Sequence, residues 1–214
     1  MPRPRRAAPG FTGLIARSWT RSAGARRPAT PAWQSAPVIP EGRATYTVWM
    51  MISAKLAKAF NEQIGHEFGA SMQYVSIAAH FQRNSLTLLA KLFFEQAEEE
   101  RQHAMKFVKY LLDTKGELRI PAIPAATPTF ASSEAAVQAA LSWEQEVTRQ
   151  ITALMEQAVK DNDYLAQSFL QWFIDEQLEE VVKMDRLLSV IKQSGEKNLL
   201  MVEAYLVHIE KAGS

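Results

Sequence analysis

The sequence predicts an all-α fold, a four-helix bundle with one long crossover and a short fifth helix at its C-terminal end. Three observations carry this prediction. Four segments repeat apolar residues in a 4-3-4-3 rhythm, the period of one helix face. A segment with Pro121, Pro124 and Pro128 separates the second from the third. Each of the four stripes is broken near its middle by an acid.

The first helix is expected over about 53–81, with the stripe Leu56, Phe60, Gln63, Glu67, Ser71, Tyr74, Ala78 and Phe81. Asn84-Ser85 supplies a turn and an N-cap. The second helix is expected over about 86–115, with Gly116 as its C′ residue. Its stripe runs Phe93, Ala97, Ala104, Phe107, Leu111, and the slot between Ala97 and Ala104 belongs to Glu100.

Residues 117–131 cannot be helix. A helix of thirty residues is about 45 Å long, and fifteen extended residues reach about 50 Å. The segment can therefore run back along the whole bundle, which makes the third helix parallel to the second.

Ser132-Ser133-Glu134 starts the third helix with a capping side chain and an acid in the first turn. Its stripe is Val137, Leu141, Glu144, Thr148, Ile151, Met155, Ala158. Asp161-Asn162-Asp163 makes a short turn and caps the fourth helix. That helix runs to about 193 with the stripe Phe169, Phe173, Gln177, Glu180, Met184, Leu187, Ile191. Ser194-Gly195 ends it. A fifth helix, about 197–211, places Leu199, Val202, Leu206 and Ile209 on one face.

The chain has 214 residues, enough for one substantial core, and a net charge of +1. That charge is unevenly spread. Residues 1–50 hold eight Arg and one acid, a net +7, which leaves −6 for residues 51–214. The first part shows no sustained period. It reads as a disordered tail, an organelle transit segment, or a stretch upstream of a true start at Met50 or Met51. The tail and the upstream stretch are favoured, because its prolines work against the amphipathic helix of a transit segment. Residues 51–214 form the domain. There is no Cys, which excludes a disulfide framework and cysteine-ligated metal sites. No apolar run is long enough to span a membrane.

The acids carry the chemistry. Glu100 and His103 are three apart, so one helix face presents a carboxylate and an imidazole to the same point. Alone, this spacing is a weak signal. Its register is the stronger one, because Glu100 occupies a core slot and a buried unpartnered carboxylate costs several kcal/mol. Glu67, Glu144 and Glu180 do the same on the other three helices. In a bundle of equal-length helices these midpoints meet at one level. Four carboxylates, His103 and Gln177 cannot converge while ionised without cations. The oxygen-rich set suits a pair of iron or manganese ions and disfavours structural zinc.

From Met51 to about Lys211 the chain resembles the bacterial non-haem ferritins. The resemblance rests on helix order, crossover, fifth helix, and the strings Asn61-Glu62-Gln63, Glu99-Glu100-Arg101-Gln102-His103, Phe169-Leu170-Gln171-Trp172 and Glu176-Gln177-Leu178-Glu179-Glu180. It implies a ferritin-like bundle and an intrasubunit di-iron ferroxidase centre. Glu67, Glu100 and His103 would hold the first iron. Glu100 would bridge to a second, held by Glu144 and Glu180 with Gln177 close by. Tyr74 matches the family's tyrosine beside the centre. Glu99, Glu176 and Glu179 match an additional third-iron site, while Trp172 reads as core packing.

The resemblance further implies Fe²⁺ as substrate, O₂ or H₂O₂ as oxidant, and Fe³⁺ stored as a mineral. The store would be a hollow shell of twenty-four copies in the cytoplasm, without a membrane or a specific nucleic-acid partner. Haem is not expected. The bacterioferritins carry a haem-ligating Met where this chain has Arg101, and Glu-x-x-His where it has Gln177 and Glu180. The acids that line the three-fold iron entrance of animal ferritins correspond to Gln167 and Leu170 here, and His208 reads as a surface or interface residue. A non-storage di-iron oxidase or peroxidase and a bacterioferritin-like protein are the alternatives.

Overall fold

The structure, a computed structural model, describes residues 50–212, and side chains through His208. Expectations for the Arg-rich segment and for the Ile209 side chain lie outside the described residues. Helices α1 (Ala54–Arg83), α2 (Thr87–Asp113), α3 (Ser133–Lys160) and α4 (Tyr164–Ser194) form the bundle. A short 3-10 turn, Glu196–Asn198, leads into α5 (Leu199–Ala212). Helix α1 packs mainly on α2 and α3 mainly on α4, and α1 and α3 join the two pairs.

The helix starts are set by side-chain caps. Ser53 accepts from Leu56 N, Ser132 from Ala135 N and Asp163 from Ala166 N. Each satisfies one of the four amides that a helix N-terminus leaves without a partner. The start of α2 departs from the expected Ser85 cap. Ser85 lies in the left-handed region at φ 59°, and the N-cap position falls on Leu86, which has no capping side chain. Glu203 of α5 does that work instead. Its carboxylate accepts from Leu88 N at 2.9 Å and from Leu89 N at 2.8 Å. No local pattern announces a cap that comes from 115 residues away.

Three helices end in the same Schellman geometry, with Ser85, Lys115 and Asn162 at the left-handed position. Lys115 thus takes the C′ place expected of Gly116, which follows it at C″. Its glycine is explained by space rather than by backbone angle. A Cβ there would lie 2.9 Å from Leu111 Cδ2 and 3.0 Å from Ile52 Cγ2.

The crossover climbs α1 from end to end. Asn61 donates to Glu117 O at 2.7 Å and accepts from Arg119 N at 2.6 Å. Further up, Gln73 accepts from Thr127 N at 2.8 Å. Phe130 then meets the His80 ring edge-on at 5.7 Å. The segment therefore runs parallel to α1, and α3 is parallel to α2. Two glycines on α1 leave room, Gly65 for the crossover and Gly69 mainly for Trp143 of α3. A Cβ on Gly65 would come within 2.5 Å of Pro121 Cγ, and one on Gly69 within 3.3 Å of the Trp143 ring.

The core is divided in two. One apolar cluster gathers Ile64, Phe60, Phe107, Ile151 and Phe173. The other gathers Tyr74, Phe81, Phe93, Leu141 and Met184. On every long helix the polar break falls between them, at Glu67, Glu100, Glu144 and Gln177–Glu180.

Gly65→Ala tests the track. Helix propensity alone would stabilise by about 1 kcal/mol, whereas overpacking against Pro121 costs about 1–3 kcal/mol. The clash wins, so the variant should melt lower in scanning calorimetry of the metal-free protein. A higher melting temperature would mean that the crossover does not press on Gly65.

Candidate metal centre

All five stripe-breaking groups, and His103 with them, converge on the layer between the clusters. Glu67, Glu100, Glu144, Glu180, Gln177 and His103 are each buried, with 3% exposure or less. Packing achieves this. Their neighbours a turn away on each helix are committed to the core, so the register leaves these side chains no solvent face.

Glu67, Glu100 and His103 come closest. One ligand atom from each lies within 4.8 Å of the other two, an arrangement able to hold a metal ion. His103 Nδ1 is 3.1 Å from Glu100 Oε2. Gln63 Nε2 donates to Glu67 Oε1 at 2.9 Å and orients that carboxyl. On the other side, the Tyr74 hydroxyl hydrogen-bonds Glu144. Thr148 Oγ1 donates to Gln177 Oε1 at 3.0 Å and fixes the amide beside Glu144. Gln96 Nε2 donates to Glu180 Oε2 at 2.6 Å.

The donor set has a shortage that decides what it suits. Glu67 Oε2, Glu100 Oε1 and Glu144 Oε2 are buried and have no hydrogen-bond donor in the protein. Buried polar atoms are normally paired. Carboxylate oxygens facing one another can be satisfied by a proton or by a cation, and hard oxygen donors with one imidazole suit divalent iron or manganese.

The electrostatics agree. Burial first, and then the neighbouring carboxyls, hold Glu67 and Glu100 well above the ordinary carboxylate range. Burial likewise pushes Glu144 up to about 8 and raises Glu180. Burial lowers His103, which keeps its ring neutral and able to bind a metal. The Tyr74 hydroxyl is raised by burial and then by Glu144, so it stays protonated.

The outer residues are arranged differently. Glu99 is half-buried and ion-paired to Lys183 at 3.2 Å. Glu176 is half-buried and Glu179 exposed. Among the described residues these three do not join in a close ligand group. Trp172 is not core. It is 39% exposed, lies edge-on to His103 at 5.4 Å, and carries Lys106 Nζ over its ring at 3.2 Å. Leu170 is fully buried, Gln167 donates to Ala158 O, and His208 is exposed.

Sequence reasoning missed Gln96 and Lys183. Gln96 sits one turn before Glu100 on the buried face, and that spacing could have flagged it. Lys183 follows Glu180 by three residues, a helical pairing distance.

Comparisons with known proteins follow the same lines. Residues 57–194 match the family described as Ferritin, Ferritin-like domain. Ferritin BfrB of Mycolicibacterium smegmatis is 40% identical over 155 residues, covering 72% of this chain and 85% of that one. The bacterial non-heme ferritin of Staphylococcus aureus is 36% identical over 146 residues, covering 68% and 88%. Among solved structures, the open pore ferritin of the hyperthermophilic archaeon Archaeoglobus fulgidus superposes with a TM-score of 0.70. It is 29% identical and covers 73% of this chain and 96% of that chain.

The raised carboxyls predict a pH dependence. In the fold they hold protons that the unfolded chain releases above about 4.5. The stability they give as neutral groups is complete below that value and is lost as pH rises through about 8. The metal-free protein should therefore melt higher at pH 6 than at pH 8.5, by on the order of 5 °C. Glu144→Gln should flatten the trend. A melting temperature that climbs with pH would contradict the assignment.

Proposed function

The chain belongs to the ferritin family, and on that premise we propose that it stores iron, oxidising Fe²⁺ at the buried carboxylate layer and holding the Fe³⁺ as a mineral. The observation that carries the proposal is the convergence of Glu67, Glu100 and His103 within 4.8 Å, beside carboxylate oxygens without donors. Glu67, Glu100 and His103 hold one Fe²⁺. Glu100 reaches toward the second, held by Glu144 and Glu180, with Gln177 beside them. The store is a hollow shell of twenty-four copies, and the setting is cytoplasmic. No described helix is long and apolar enough to cross a membrane.

Iron is the substrate here. Each Fe²⁺ gives one electron. O₂ takes two electrons and two protons to become H₂O₂, or H₂O₂ takes two of each to become water. The residues supply the bias. Four hard, anionic oxygen donors in a low-dielectric layer favour Fe³⁺ over Fe²⁺, since electrostatic interaction there is far stronger than in water. The Tyr74 hydroxyl, hydrogen-bonded to Glu144, steadies one carboxylate and keeps a proton within reach. Gln63, Gln96 and Thr148 lock the rotamers of the groups they touch, and such outer partners commonly matter 10–100-fold in metal affinity or activity.

Glu100→Ala should slow the initial oxidation of Fe²⁺ by about 100-fold or more while leaving the helical fold intact or more stable. It removes a buried carboxyl whose Oε1 has no donor in the metal-free protein and the group placed between the two ions. Stopped-flow absorbance with circular dichroism on the same sample checks both halves. Oxidation at the unaltered rate would remove Glu100 from the centre. Incubation with haem should give no saturable complex, since Arg101 offers no sulfur ligand. It is exposed and bonded to Glu98.

A further inference from the structure

We propose that Lys183 is a tethered cation standing where a third iron ion would bind, so that each subunit takes up two ions at this locus rather than three. The proposal rests on the di-iron reading above and goes beyond it.

The geometry is specific. Lys183 Nζ lies 3.2 Å from Glu99 Oε2 and 3.4 Å from Glu180 Oε1. It joins the first acid of the outer set to an acid of the inner one. The Glu180 side chain is 4% exposed, while those of Lys183 and Glu99 are 40% and 47% exposed. The ammonium thus sits at the boundary between the buried layer and the outer acids. Its stem rises from α4 one turn beyond Glu180, and that spacing directs it back over the carboxyl.

An outer ion would need Glu99, Glu176 and Glu179 to turn toward a common point. Glu99 is engaged by Lys183. Glu176 lies in the field of another cation, Lys106, whose ammonium is held over Trp172. Of the three acids, Glu99 is thus ion-paired, and Glu176 has a second ammonium in its surroundings. A divalent ion brought to Glu99 would meet the Lys183 charge at close range, and like charges there oppose binding. The same charge offsets part of the negative excess around Glu180. Lys183 is a positioning residue for Glu180, not a ligand.

Counting ions tests this without relying on oxidation. Zn²⁺ is a redox-inert probe that builds no mineral. Equilibrium dialysis of the assembled, metal-free protein against Zn²⁺, followed by elemental analysis, gives tight ions per subunit. The full chain should hold about two, Lys183→Gln about three, and Lys183→Arg about two. The double variant Lys183→Gln/Glu99→Gln should return to about two, which ties the extra ion to Glu99 rather than to the outer surface. Three ions in the unaltered protein, or two in Lys183→Gln, would overturn the role of Lys183. Fewer than two in the unaltered protein would overturn the di-iron reading itself, and this inference with it.

Discussion

Four carboxyl groups buried at one level of a helical bundle are the constraint on which the rest of the structure depends. A lone ionised carboxylate in such a place is strongly disfavoured, and four facing one another are more so. The protein supplies some relief through Gln63, Gln96 and Tyr74. It stops short of full satisfaction, since three carboxylate oxygens keep no donor. A proton or a divalent cation can fill that deficit. A neutral network would close its hydrogen bonds. This one is built to be completed from outside.

The architecture serves that layer. Aromatic and aliphatic clusters lie on either side and exclude water, with Phe107 and Phe173 on one side and Phe93 and Tyr74 on the other. Low dielectric raises the attraction between carboxylates and cations. The crossover makes α3 parallel to α2. The polar breaks therefore need to sit near helix midpoints to meet at one height, and they do. At the far end, Glu203 ties α5 to the first turn of α2, and Glu196 accepts from Glu134 N at the start of α3. Two acids of the C-terminal segment thus close two helix ends by the same electrostatic logic.

Much of this was legible in the sequence for a physical reason. Long helices are periodic, and an acid in an apolar stripe is a visible violation that burial must explain. Glu67, Glu100, Glu144 and Glu180 announced themselves in that way, and His103 followed from its spacing. The crossover was legible from Pro121, Pro124 and Pro128 with the distance they must span. What stayed hidden depends on contacts distant in sequence. The Glu203 cap has no local signature, so Ser85 looked like the cap and is instead the left-handed residue of a helix end. Trp172 looked like core because it is large and apolar, but Lys106 and His103 hold it at the surface. Lys183 reads as an ordinary surface charge until its partners Glu99 and Glu180 are placed.

The central claim is that the layer exchanges protons for divalent cations. Titrating Zn²⁺ into the metal-free protein at pH 7 in a pH-stat measures that exchange directly, because coordinating groups must ionise to bind. Burial pushes Glu144 up to about 8 and holds Glu67 and Glu100 well above the ordinary carboxylate range. The account predicts release of about one proton or more for each ion bound. Tight binding with no proton release would mean the carboxyls were already ionised without metal, and would contradict it.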